Sequence, residues 1–168
     1  ARISYFLGNP QKAIYFLTKA AKRERTFYGS LAMASLGYEY TPKFELPKYD
    51  RNLLKKINKH KGGIRALALI EVKEYYKAAR EFRKIITKFD VKDYPQLLSF
   101  ISKNNMPGLT FRLAAILRND YGQIHLGGLY PIPSWKMDTS DLKDRALIYA
   151  IARQESGFNP RAKSSSKA

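Results

Sequence analysis

Residues 73–85, KEYYKAAREFRKI, decide the fold class of this chain, together with residues 105–117, NMPGLTFRLAAIL. Both stretches repeat apolar side chains every three to four positions, the period of a helix with one buried face. Residues 8–20, GNPQKAIYFLTKA, follow the same pattern and begin near Pro10, a residue favoured at the first position of a helix. The first three-quarters of the chain is therefore predicted to be helical.

Short polar breaks separate the predicted helices. Thr26 is predicted to cap the second of them and Gly37 to end it, whereas residues 38–50, which contain two prolines, are predicted to form a loop. In chain order, helices are predicted at residues 10–22, 27–36, 50–59, 63–70, 74–88, 93–103 and 108–119.

A faint internal repeat relates the three stretches. Aligned with each other, they place Ala13, Ala78 and Thr110 at the same position, 65 and then 32 residues apart. The spacing of 32 residues is close to the ~34 residues of a tetratricopeptide hairpin, and the spacing of 65 is close to twice that length. We therefore predict an all-α fold, a superhelical stack of helical hairpins whose concave face would suit a peptide or a partner protein.

The composition changes at residues 122–140, GQIHLGGLYPIPSWKMDTS. They contain three glycines and two prolines and show no helical period. This composition predicts an inter-domain linker. Tyr130 and Trp135 within it suit either stacking on a sugar face or packing of the linker against a domain. The predicted organisation is a helical-repeat domain at 1–121, this linker, and a second domain portion at 141–168.

The formal net charge of +17 favours acidic or polyanionic partners, and the plainer alternative is that lysines are scattered over solvated helix faces. Lys and Arg are spread along the chain without a compact basic block, so nucleic-acid binding is a minor alternative that predicts a steep salt dependence. No apolar run approaches the ~20 residues of a membrane-spanning helix. With no cysteine and two isolated histidines, neither a metal nor a cofactor is expected.

The last predicted helix, residues 141–155, carries the most suggestive carboxylate of the chain. Either Thr139 or Ser140 is predicted to cap its start. Ile148, Ile151 and Glu155 share one face of it.

The end of this helix is predicted just after Glu155. Ser156 stands at the C-cap, Gly157 can adopt the left-handed conformation, Phe158 can fold back onto the last turn, and Pro160 prevents continuation.

An apolar surround and the negative end of the helix dipole both favour a protonated Glu155. A carboxylic acid of this kind can protonate the leaving oxygen in glycosidic-bond cleavage. The plainer alternative is a boundary residue paired with a nearby Lys or Arg.

The residue string 152–160, ARQESGFNP, followed by Ala162, Lys163 and Ser164, resembles the opening motif of the soluble lytic murein transglycosylases, whose catalytic domain has a lysozyme-like fold. Residues 129–133, LYPIP, are similar to the lead-in of that domain. Residues 26–29, TFYG, with Leu31 and Ala32, are similar to a recurrent piece of the preceding helical domain.

This resemblance implies a single-carboxylate reaction on peptidoglycan glycan strands in the bacterial periplasm. Glu155 would protonate the β-1,4 bond between N-acetylmuramic acid and N-acetylglucosamine, then act as base to form a 1,6-anhydro product. Ser164 matches a serine near the reacting sugar, and Ser156 would either orient the carboxylate or cap the helix. Ordinary hydrolysis is the alternative within the enzyme class.

The family motif continues into residues that this sequence does not contain, so we expect a C-terminally truncated fragment that ends in the first helix of the lysozyme-like domain. Its export signal would lie outside the chain. We expect Glu155 to be more exposed than in a complete domain, the chain alone to be inactive, and residues 164–168 to be disordered. The alternative is a helical-repeat binding module without catalytic activity.

Overall fold

The computed structural model describes residues 1–39 and 41–163, and all regular secondary structure in these residues is helical. The predicted all-α class is confirmed. Two 3-10 turns, Ile86–Lys88 and Val91–Asp93, accompany the α-helices. The α-helices are α1 (Arg2–Phe6), α2 (Pro10–Ala21), α3 (Phe27–Ser35), α4 (Arg51–Asn58), α5 (Lys61–Glu71), α6 (Tyr75–Ile85), α7 (Tyr94–Lys103), α8 (Pro107–Tyr121), α9 (Leu126–Leu129) and α10 (Leu142–Ser156).

The chain divides into two compact units, Ala1–Pro42 and Lys43–Ala168. In the first unit, α2 packs against α3. The Asn9 side chain caps α2 by accepting from the Lys12 N–H at 3.0 Å. Thr26 caps α3 by accepting from the Gly29 N–H at 3.0 Å, as predicted. The predicted domain boundary at residues 122–140 stays a prediction.

The second unit contains the principal core. Helix α5 packs against α6, and α7 packs against α8. The stacking of helical hairpins into a superhelix stays a prediction. Aromatic and aliphatic side chains from both pairs meet, with Phe82 and Phe100 rings 5.8 Å apart. The largest fully buried apolar side chains are Leu53, Ile57, Phe82, Leu97, Leu98, Ile101, Leu113, Leu117 and Leu129.

Helices α1 and α9 were not predicted. Helix α9 lies inside the predicted linker. Its Gly127–Gly128 pair gives no helical signal in the sequence, because glycine is a poor helix former. The structure explains the second glycine: a Cβ at Gly128 would lie 2.8 Å from the Ala114 Cβ and 2.8 Å from a methyl group of Leu98. The absence of a side chain there allows α9 to pack against α7 and α8.

Candidate functional site

Helix α10 carries the candidate site, and Asp141 caps its first turn. The Asp141 carboxylate accepts from the Lys143 N–H at 2.7 Å, so the prediction of Thr139 or Ser140 as the cap is wrong. Thr139 instead accepts from the Asp141 N–H at 3.2 Å. A carboxylate is the better cap here because it also interacts favourably with the positive end of the helix dipole.

The helix ends one residue later than predicted: Ser156, predicted as the C-cap, is its last helical residue, and Gly157 is the C-cap. Gly157 has a φ of 55°, its N–H donates to the Arg153 carbonyl at 3.0 Å, and the Phe158 N–H donates to the Ala152 carbonyl at 3.2 Å. These bonds form the glycine-terminated helix end that satisfies the last carbonyls. Phe158 is 5% exposed, and its ring centre lies 6.0 Å from that of Trp135. Its folding back onto the last turn stays a prediction.

Glu155 lies in the last turn of α10 and is exposed. Within residues 1–39 and 41–163, no side chain forms a hydrogen bond or an ion pair with its carboxylate. The apolar stripe that leads to it is also at the surface, with Ile148 41% and Ile151 53% exposed. The stripe therefore does not desolvate Glu155 in this structure.

Of the two serines of the predicted site, the structure describes Ser156 and not Ser164. The Ser156 hydroxyl donates to the Ala152 carbonyl at 2.9 Å, so it is engaged with the helix backbone beside Glu155. Ser164 lies outside the described residues, as does the prediction of disorder at 164–168.

Arg153 anchors α10, a role that the sequence reasoning missed. Its guanidinium carbon lies 4.8 Å from the centre of the Phe111 ring and 4.7 Å from the centre of the Tyr130 ring. Its Nε–H donates to the Leu129 carbonyl at 2.9 Å. A second anchor is the Tyr149 hydroxyl, which donates to the Pro133 carbonyl at 3.0 Å. Both contacts fix the helix two turns or less from Glu155.

The two aromatic residues of the predicted linker pack against protein. Tyr130 lies against Arg153, as described above, and the Trp135 ring centre is 5.9 Å from that of Tyr149. Trp135 is nevertheless 41% exposed. It also lines a cavity.

This cavity, about 530 Å³ in volume, lies beside the end of α10. Residues of α6, the first half of α8 and the turn at 156–160 form its wall, and Glu155 is not among them. Two arginines on different helices, Arg83 and Arg112, contribute to the wall. Its aromatic lining consists of Tyr75, Tyr76, Phe111, Trp135 and Phe158. We refer to it as the α6–α8 cavity.

Residues 1–39 and 41–163 are the described part of the chain. No helix there is both long enough and apolar enough to cross a membrane. No group of three His, Asp or Glu side chains among those residues is arranged to hold a metal ion.

A comparison with protein families places the candidate site in a known domain. Residues 136–168 match the family profile described as the transglycosylase SLT domain. The predicted relation to the lytic transglycosylases is therefore confirmed for this part of the chain, and it points to glycosidic-bond cleavage of the transglycosylase type. Neither the curated proteins nor the solved structures contain a significant match to the chain.

Proposed function

We propose that this chain, whose residues 136–168 match the transglycosylase SLT domain, provides the catalytic carboxylate of a peptidoglycan lytic transglycosylase. The bond cleaved is the β-1,4 linkage from N-acetylmuramic acid to N-acetylglucosamine. The single observation that carries the proposal is the position of Glu155: inside the matched residues, in the last turn of an anchored helix, with its carboxylate open to a ligand.

One carboxylate serves both halves of the proposed reaction. Protonated Glu155 gives its proton to the glycosidic oxygen, and the bond from that oxygen to C1 of the muramic residue breaks. The resulting carboxylate then takes the proton of the C6 hydroxyl, whose oxygen bonds to C1. The product carries a 1,6-anhydro ring, no water is consumed, and Glu155 ends protonated again.

Desolvation is what the proposed acid step requires. A carboxylic acid is kept protonated near neutral pH when surrounding groups exclude water from it. Glu155 is exposed in this structure. We therefore propose that the chain alone does not turn over glycan strands, and that further residues must cover Glu155 for activity.

The serines take supporting roles in this proposal. Ser164 would hydrogen-bond the sugar at the reacting bond, as the resemblance implies. Ser156 would contact the substrate only after giving up its bond to the Ala152 carbonyl, so its first role is to hold the last turn under Glu155.

The proposed substrate and location follow from the same chemistry. Peptidoglycan strands carry peptide carboxylates, which a chain with a formal net charge of +17 attracts. This attraction is non-specific and weakens as salt is added. The proposed place of action is the periplasm, where the substrate lies.

Mass spectrometry of purified peptidoglycan tests the proposal. The chain would be incubated with it beside a version extended by the remainder of a lysozyme-like domain, each with a Glu155→Gln control. Anhydro-muropeptides from the extended form alone are the expected result. Reducing ends instead would indicate hydrolysis, and products that persist in Glu155→Gln would exclude Glu155 as the catalytic group.

A binding module without chemistry is the second candidate. The observations that favour it are the exposure of Glu155 and the two packed helix pairs of the same unit, α5 with α6 and α7 with α8. Strand binding without any sugar product, unchanged by Glu155→Gln in both the chain and its extended form, would support this function over catalysis.

A further inference from the structure

We propose that the α6–α8 cavity binds the peptide stem of a peptidoglycan strand, a short peptide with free carboxylates joined to an N-acylated sugar. The choice of ligand rests on the proposed function, while the peptide chemistry rests on the cavity itself. The site is separate from Glu155, which does not line it.

The size and lining of the cavity suit a short peptide. A volume of about 530 Å³ lies within the ~300–1,000 Å³ of small-ligand sites. Most of its wall is aromatic or apolar, with Tyr75, Phe111 and Trp135 offering flat faces for methyl and methylene groups. These faces supply contact area without demanding hydrogen bonds from the ligand.

Two guanidinium groups give the cavity its preference for a carboxylate. Arg83 on α6 and Arg112 on α8 both line it, and neither forms an ion pair with an acidic side chain of the described residues. No Asp or Glu is found in the wall. The planar fork of arginine matches the two oxygens of a carboxylate, and such charge-assisted bonds are about twice as strong as neutral ones.

An amide side chain points to a peptide rather than a simple anion. The Asn105 side chain lines the cavity and is fixed by accepting from the Ser134 N–H at 3.2 Å through its Oδ1. That bond leaves the Nδ2 group as a donor for a ligand carbonyl. Two arginines and two amide side chains, those of Asn105 and Asn159, on an aromatic wall suit a peptide that ends in a carboxylate.

The wall on the α10 side is preformed. A Cβ placed on Gly108 would lie 3.0 Å from the Phe158 carbonyl oxygen and 3.2 Å from that of Gly157, so α8 and the turn at 156–160 are in close contact. Because this turn directly follows Glu155, a stem held in the cavity would keep its glycan strand next to the catalytic carboxylate.

The only tryptophan of the chain, Trp135, lines the cavity and gives a direct readout. Its fluorescence would be titrated with a purified disaccharide-tetrapeptide, with the free tetrapeptide, with the tetrapeptide amidated at its carboxylates, and with a tetramer of N-acetylglucosamine. We expect saturable changes with the disaccharide-tetrapeptide and the free tetrapeptide, and none with the amidated peptide or the sugar.

Variants assign the effect to the two arginines. The double variant Arg83→Gln with Arg112→Gln should raise the Kd for the tetrapeptide at least ~10-fold. The matched control, Arg80→Gln with Arg118→Gln, removes the same charge from the same two helices outside the cavity and should leave Kd unchanged. Circular dichroism would verify that both variants keep the helical fold.

Other outcomes overturn the inference. No saturable change with either peptide, equal binding of the amidated peptide, or equal weakening by the control pair would exclude a carboxylate site in the cavity. A response to the sugar tetramer alone would make it a glycan site. Peptide binding is measured with Glu155→Gln as well as with the parent chain. If both bind the peptide but the extended form releases no anhydro products, the proposed function is rejected and the peptide site is retained.

Discussion

The guanidinium carbon of Arg153 lies 4.8 Å above the centre of the Phe111 ring, and this contact joins α10 to α8. The centre of the Tyr130 ring lies 4.7 Å from the same carbon. Helix α10 contains no buried residue of its own. Its position, and that of Glu155 two residues further on, therefore depends on a few contacts of this kind.

Replacing Arg153 with methionine should loosen α10. The variant keeps an apolar stem but loses two cation–π contacts and the hydrogen bond to the Leu129 carbonyl, together worth about 1–3 kcal/mol. Amide hydrogen exchange at residues 142–158 should accelerate, while exchange in α7 stays as in the parent chain. The matched control is Arg145→Met, which removes a charge from the same helix. Equal acceleration in both variants would contradict an anchoring role for Arg153.

Gly108→Val should displace the turn that follows Glu155. A Cβ at this position already approaches the Phe158 carbonyl oxygen to 3.0 Å, and two further methyl groups enlarge the overlap. Trp135 packs on Phe158, so its emission should shift towards that of an exposed indole. An unshifted emission maximum together with unchanged peptide binding would show that the contact between α8 and the turn is not tight.

His125 should make the second unit less stable in mild acid. Burial lowers the pKa of His125 below its ordinary value of 6.5, and its Nε2 has no hydrogen-bond partner among the residues described. The unfolded chain therefore binds this proton more readily than the folded one. The neutral side chain contributes fully above about pH 6.5, and the contribution is lost as the pH falls below that value.

Urea unfolding followed by Trp135 fluorescence at pH 7.5 and 5.5 measures this effect. His125→Gln should reduce the difference in unfolding free energy between the two pH values. His60→Gln, which removes the other histidine of the chain, still carries His125 and should keep the difference. If His60→Gln reduces the difference and His125→Gln keeps it, the pH dependence belongs to His60 and the prediction is contradicted.

Local features of the fold were predictable because local chemistry sets them. Thr26 caps α3 and Gly157 ends α10, each through bonds to residues three or four positions away. Prediction failed for α9, since only the close approach to Ala114 and Leu98 explains why Gly128 is tolerated in a helix. It also failed at the start of α10, where Asp141 and Thr139 are both acceptable caps by residue type and neighbouring geometry selects one.

The candidate site was only half visible in the sequence. The string around Glu155 is contiguous, so its pattern could be recognised without a structure. The α6–α8 cavity joins Arg83, Arg112 and Trp135 with the turn at 156–160, and no periodicity connects positions so far apart. The helical pattern alone could not give the exposure of Glu155, because exposure depends on what packs against α10; the resemblance to the family motif led us to expect it.

The most direct test of the central claim moves the carboxylate by one position in the extended form of the chain. Mass spectrometry then measures the yield of 1,6-anhydro ends from peptidoglycan. The variant Gln154→Glu with Glu155→Gln keeps the composition, the charge and the exposed last turn of α10. If Glu155 is the catalytic group, this exchange should abolish anhydro ends as completely as Glu155→Gln alone. Anhydro ends at the parent level from the exchanged variant would contradict the assignment of Glu155 as the catalytic carboxylate.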